Sequence, residues 1–274
     1  MTRTDRSSAA TEPTGPAHAG ALRSARRLST LKGRRAAEQF LAEGPQAVRE
    51  AAAAGLVQRI FVTASAADRY ADIVATVAHA GVAVLEVGDT ELASLTDTVT
   101  PQGLVAVCRA TWPSLDDVVA LAPRLVVVCA QVRDPGNAGT VIRCADAFGA
   151  DAVILTQGSV DVHNPKTVRA SVGSIFHLPV VADVSLEEAT DALKAAGLTV
   201  IAADGSGTQT LLDLDLSAPI AWVFGNEAWG LPEAIRALCD DVVRVPIHGR
   251  AESLNLATAA AVCLYASARA QRRP

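Results

Sequence analysis

The chain has 274 residues, 50% of them hydrophobic and 19% charged, which excludes a disordered polymer and suits one or two buried cores. Its formal charge of −5 argues weakly against nucleic-acid binding, because phosphate contacts need cations. The charge is unevenly spread, however: Arg3, Arg6, Arg23, Arg26, Arg27, Lys32, Arg34 and Arg35 face only Asp5 and Glu12 within residues 1–35.

In chain order, residues 1–24 are rich in Ser, Thr, Pro, Gly and Ala and are expected to form a mobile basic tail. Residues 25–108 read as a small α/β unit. It holds a helix from Glu38 to Ala54, a strand over 57–63, a helix over 66–80, a strand over 82–87, a short helix near 91–95 and a strand over 104–108. Residues 109–122, with Trp112, Pro113, Asp116 and Asp117, lack a strand period and read as a linker. From 123 to 274, strands at 125–130, 152–156, 180–182, 199–203, 220–224 and 242–247 alternate with helices, the order of a parallel sheet. Asn164 before Pro165 marks a helix start, Gly149 and Gly197 mark helix ends, and a last helix begins near Ser253.

The five cysteines, Cys108, Cys129, Cys144, Cys239 and Cys263, are too widely spaced for a zinc site or redox dithiol and read as buried thiols in a reducing cytoplasm. No signal peptide is expected. Residues 254–268 are apolar, but Asn255, Thr258, Ser267 and Arg269 interrupt or bound a run shorter than the roughly 20 residues a bilayer requires, so no membrane segment is expected either.

Three segments follow strands at their carboxyl ends, the edge at which parallel sheets bind ligands: QVRDPGNAG (131–139), GNEAWGLP (225–232) and HGRAESLN (248–255). In the first, Asp134-Pro135-Gly136-Asn137 is a turn leading into a helix, with Asn137 as its cap or a site residue. Arg143 is either a phosphate clamp or the partner of Asp146. In the second, Gly225 lets a ligand or another loop approach the backbone, and Glu227 is a site acid or a helix-capping acid. In the third, Ser253 or a neighbour caps the last helix while Asn255 points into the site.

DPGNAGTVIRCADAFGA, FGNEAWGLP and ESLNLATAAAVCLYA, in this order, resemble the three motifs of the SpoU (TrmH-like) family of RNA ribose 2′-O-methyltransferases, of the SPOUT class. HNPKTVRASVGSIFHLPV, residues 163–180, matches the family's intervening helix. The likeness covers 124–268 and extends to the thiostrepton-resistance-type 23S rRNA enzymes. It implies a trefoil-knotted, parallel-sheet α/β methyltransferase domain that forms a homodimer. Region 40–108 is similar to the L30e-like RNA substrate-binding domain that precedes it in many members.

The resemblance further implies S-adenosylmethionine as cofactor, held by Ala203, Gly225, Val245, Ile247, Leu254 and Asn255, and RNA as substrate, with no metal. It assigns catalysis to Asn137, Arg143, Glu227, Ser253 and Asn255. Arg143, Lys166 and Arg169 are candidate RNA contacts, joined by Arg34 and Arg35 of the basic arm; for Lys166 a solvated helix face is the other reading. A transfer-RNA substrate and a non-catalytic RNA-binding module are the alternatives. A dinucleotide-dependent oxidoreductase fails because Gly205-Ser206-Gly207 is followed by Thr210 where a third glycine is needed.

Overall fold

A computed structural model describes residues 16–226 and 228–271. The amino-terminal lobe begins with α1 (Pro16–Arg27) and α2 (Leu31–Ala37), then β1 (Gln39–Glu43), α3 (Pro45–Ala53), β2 (Val57–Val62), α4 (Ala64–Arg69), α5 (Ala71–His79), β3 (Ala83–Glu86), α6 (Asp89–Ala93) and β4 (Leu104–Arg109). Its four strands lie in the order β1-β4-β2-β3, antiparallel except for β2 with β3.

Successive residues of β1 point to opposite faces, so Phe40 and Ala42 join one core with α3 and α5 while Leu41 joins a second. That second core needs a cover, which α1 supplies through Leu22 and Ala25 and the turn after it through Leu28, at three-residue spacing. Residues 16–24 therefore correct the expectation of a mobile tail: they are helical, and Leu22 is buried. The expected helix from Glu38 to Ala54 is likewise divided. Glu38 takes a left-handed backbone (φ 52°), ends α2 and turns the chain into β1.

The expected linker carries one short helix, α7 (Leu115–Ala120), started by a capping box of Ser114 and Asp117. The second lobe follows with β5 (Leu125–Cys129), α8 (Pro135–Phe148), β6 (Ala152–Thr156), α9 (Pro165–Ser171), β7 (Val180–Val184), α10 (Leu186–Ala195) and β8 (Thr199–Ala203). It ends with β9 (Gln209–Thr210), β10 (Ile220–Phe224), α11 (Glu233–Arg236), β11 (Asp241–Arg244) and α12 (Leu256–Gln271). All pairings in its seven-stranded sheet are parallel, in the order β7-β6-β5-β10-β8-β11-β9.

Both faces of this sheet are covered, which explains strands such as LVVVC that are apolar throughout. Val127 and Cys129 pack in the core shared with α8 and α12, and Val126 and Val128 in the core shared with α7 and α10. The indole of Trp222 is fully buried, and its Nε1 donates to Ser267 Oγ on α12 at 2.9 Å. β10 enters the sheet between β5 and β8, after β8 is already in place in chain order. Among the described residues no helix is long and apolar enough to cross a membrane.

The two lobes meet along the connection from β6 to β7. Phe40 stacks on His163 (4.4 Å between centroids) and on Phe176 (5.9 Å), and Val168 of α9 belongs to the amino-terminal core. Arg34 is buried: Nε donates to Asp161 at 2.7 Å, and Nη1 donates to the carbonyls of Leu28 and Ser29 at 2.9 and 3.0 Å. Arg169 pairs with Glu43 at 3.3 Å, and His177 bridges Asp146 at 2.8 Å and Glu50 at 3.2 Å.

Candidate active site

β5, β8, β10 and β11 release the chain along one edge of the sheet, and the segments that follow them converge on a cleft of about 540 Å³. Ala203, Gly225, Val245, Ile247, Leu254 and Asn255 all line it, and so do Asn137 and Ser253. The three motif segments thus share one cavity. The loop after β8 is a fourth wall, contributing Asp204 and Gly205. In the sequence this loop shows only as Gly205-Ser206-Gly207 after a strand, an incomplete dinucleotide fingerprint.

Each wall is held by local chemistry. Asp134, not Asn137, caps α8: its Oδ1 accepts from Asn137 N at 2.8 Å, with Pro135 in the first turn. That hydrogen bond, opposed by partial burial and helped by Lys166, holds the Asp134 carboxyl below its ordinary range. The Asn137 side chain instead meets the third segment, where Asn255 Nδ2 donates to Asn137 Oδ1 at 3.0 Å. Asn255 also caps α12, its Oδ1 accepting from Ala257 N at 2.9 Å and Thr258 N at 3.3 Å. One amide therefore caps a helix and ties two motifs together.

Asn226, a polar group of the second segment, is buried at its foot, where its Nδ2 donates to the carbonyl of Gln131 at 2.6 Å and locks the second segment to the first. Gly225 serves a close approach: a Cβ there would lie 2.4 Å from the Gly230 carbonyl carbon. Burial raises the Asp204 carboxyl, but hydrogen bonds from Ser206 and Arg236 outweigh it and leave the group below its ordinary value. Arg236 Nη1 stands 3.2 Å from Asp204 Oδ1.

The remaining candidates lie elsewhere. Arg143 on α8 is exposed, lies outside the cleft lining and makes no hydrogen bond or ion pair among the described residues; Asp146, its suggested partner, pairs with His177. Lys166 is exposed on α9 and pairs with Asp134 at 3.2 Å, and Arg169 pairs with Glu43. Arg34 is a correction: buried between the lobes and hydrogen-bonded there, it presents no charge to RNA. Arg35 is exposed and pairs with Asp183. Arg3, Arg6 and Glu227 lie outside the described residues.

The cleft suits S-adenosylmethionine in size, since small-molecule sites span roughly 300–1,000 Å³. At Gly205 a Cβ would stand in open space, so a ligand can approach that backbone directly. The charged groups described on the lining, Asp204 and Glu252, are both acidic, a sign suited to a cationic sulfonium. Among the described residues no group of three or more His, Cys, Asp or Glu side chains is placed to hold a metal ion.

Comparison with known proteins agrees with this geometry. The model of the SpoU rRNA Methylase family matches residues 124–265, and that of the MRM3-like substrate binding domain matches residues 21–106. The chain is 35% identical over 241 residues to the 23S rRNA (guanosine(2553)-2'-O)-methyltransferase RlmP of Bacillus subtilis, covering 88% of this chain and 92% of that protein. An AdoMet-bound rRNA methyltransferase from Sinorhizobium meliloti superposes with a TM-score of 0.82 at 31% identity, over 94% of this chain and 96% of that one. The SpoU methyltransferase AviRb from Streptomyces viridochromogenes superposes with a TM-score of 0.81 at 29% identity, over 92% of this chain and 97% of that one. Three motif segments closing one cleft at the carboxyl edge of a parallel sheet, behind a matching substrate-binding lobe, make this chain a member of the SpoU rRNA methylase family.

Proposed function

We propose that this protein transfers a methyl group from S-adenosylmethionine to a ribose 2′-hydroxyl of RNA, with 23S ribosomal RNA as the preferred substrate. The observation that carries the reading is the single cleft shared by the three motif segments. Close likeness to enzymes named for 2′-O-methylation of 23S rRNA supports the substrate class. A ribosomal substrate also implies action in the cytoplasm, and the 2′-hydroxyl itself distinguishes RNA from DNA.

When bound, the cofactor supplies an electrophilic methyl group on a sulfonium. Backbone groups near Ala203, Gly225, Val245, Ile247 and Leu254 hold it, so aliphatic residues can line the site. Asn137 and Asn255, tied to each other, and Ser253 orient the acceptor ribose. Glu227 is assigned to fixing the second segment. Arg143 clamps a substrate phosphate and stabilises charge developing on the attacking oxygen, because a guanidinium keeps its protons and is a poor general base.

Arg143 stands outside the cleft of its own chain, so it reaches a ribose there only if the RNA spans both places or a second copy presents it. We infer a homodimer on that ground and from the resemblance, together with the apolar exposure of Val262 and Tyr265 on α12, the helix packed on α8. The placement of β10 inside β8, with α12 returning onto α8, supports reading the chain path as the trefoil knot.

Mapping methylated riboses in total RNA with and without this protein tests the reading. One additional methylated ribose in 23S rRNA is expected. Methylation confined to transfer RNA would redirect the substrate, and cofactor binding without product would leave only an RNA-binding module. Arg143→Ala is expected to keep cofactor affinity in calorimetry and lose about 100-fold or more in turnover; normal turnover would refute the role given to that side chain.

A further inference from the structure

The loop after β10 is a closed turn. Asn226 and Gly230 exchange backbone hydrogen bonds of 3.2 and 2.9 Å, and Ala228 N donates to Asn226 Oδ1 at 2.8 Å. Both feet of the turn line the cleft, and the tie from Asn226 to Gln131 anchors it to the loop after β5. Trp229 stands at its tip, 47% exposed, although an indole is among the costliest side chains to leave in water. The other large indole of this lobe, Trp222, is fully buried and hydrogen-bonded.

Arg133, from the loop after β5, places its guanidinium carbon 4.9 Å from the Trp229 ring centroid. The cation thus covers one side of the ring, and the indole is still about half exposed, which leaves room for a second partner. A rigid aromatic ring beside a guanidinium is the arrangement on which unpaired bases stack, and the adjacent positive charge suits the phosphate that follows the base. Because both feet of the turn are cleft walls, a base stacked there lies next to a ribose held in the cleft.

We propose that Trp229 and Arg133 form a stacking platform for an unpaired nucleobase of the RNA substrate, beside the ribose that is methylated. The inference deepens the functional reading above and rests on it. The platform is built before RNA arrives, since the turn is closed by its own hydrogen bonds, so little ordering cost falls on binding.

The test combines fluorescence with kinetics on the full chain. Titration with oligouridylate and with 23S rRNA is expected to quench tryptophan emission in the wild type, and the quench is expected to vanish in Trp229→Phe. That variant retains a ring and keeps its KM for 23S rRNA within about threefold, whereas Trp229→Ala raises it about tenfold or more. In Trp229→Ala, kcat is expected to stay within about twofold and cofactor affinity to be unchanged. An equal quench in Trp229→Phe, or an unchanged KM in Trp229→Ala, overturns the proposal. Should Trp229→Ala not fold, the fluorescence contrast between wild type and Trp229→Phe decides alone. Quenching without methylation in the wild type would sink the enzymatic reading and leave the platform standing.

Discussion

The cleft and the seam between the lobes are built from opposite materials. Apart from the acids Asp204 and Glu252, the cleft is walled mainly by backbone, aliphatic side chains and the amides of Asn137, Asn226 and Asn255, a group that can donate and accept without a net charge. The seam is held by charge and aromatic stacking: Arg34 with Asp161, Arg169 with Glu43, His177 between Asp146 and Glu50, and Phe40 against His163. Amides tie the cleft walls together without adding charge, so the described acids, Asp204 and Glu252, set the sign that meets a cationic cofactor. The seam instead uses arginines that composition alone would assign to RNA.

The contrast can be broken most forcefully at Arg34. Its ion pair is buried, with side-chain exposures of 5% and 11% for Arg34 and Asp161. Arg34→Ala strands the carboxylate and two carbonyls, with an expected loss of about 3–5 kcal/mol in denaturant unfolding. RNA affinity of the folded fraction should be unchanged; a selective loss of RNA affinity with normal stability would restore Arg34 to the RNA-binding surface.

His163 offers the next largest effect. Burial pushes its pKa from 6.5 down to about 4, against a nearby Asp161 that raises it, and its Nδ1 has no hydrogen-bond partner among the described residues. The unfolded chain therefore takes up the proton first. Its stabilising share is complete above about pH 6.5 and is lost as pH falls toward 4, roughly 3 kcal/mol in all. His163→Phe, which retains a ring against Phe40, should flatten that acid limb in melts taken from pH 7 to 4. His177 acts in the opposite sense, since hydrogen bonds to Asp146 and then Glu50 raise its pKa above 6.5. Its smaller share is complete below 6.5 and fades as pH rises through the folded value.

On the cleft side, Asn255→Ala removes a helix cap and the tie to Asn137, with an expected cost near 1 kcal/mol in stability. Cofactor affinity should suffer more than the melting temperature does, because the lost bonds position two cleft walls. A variant that melts lower yet binds cofactor normally would make Asn255 a cap alone.

Much of the second lobe was legible because a parallel sheet buried on both faces writes long apolar strands, and β6, β8 and β10 begin and end where their pattern changes. The amino-terminal lobe was harder. β1 has five residues hidden inside what reads as helical periodicity, and α1 has too few large apolar residues to announce itself before a sheet face is there to cover. The cleft walls were legible as glycine- and amide-rich segments after strands. The ties made by Asn226 and Asp204 were not, because they run to Gln131, Ser206 and Arg236, in other loops or across their own.

The order of motifs, the alternation of strand and helix, and the residue types in the three loops were determined by the sequence alone, since each is a local pattern. Which arginines face solvent was decided only by tertiary structure. Arg34 and Arg143 have the same chemistry, but one meets Asp161 at a distance of 127 positions along the chain and the other meets no partner among the described residues. Pairing over such separations depends on how two lobes pack, a property that local periodicity does not encode.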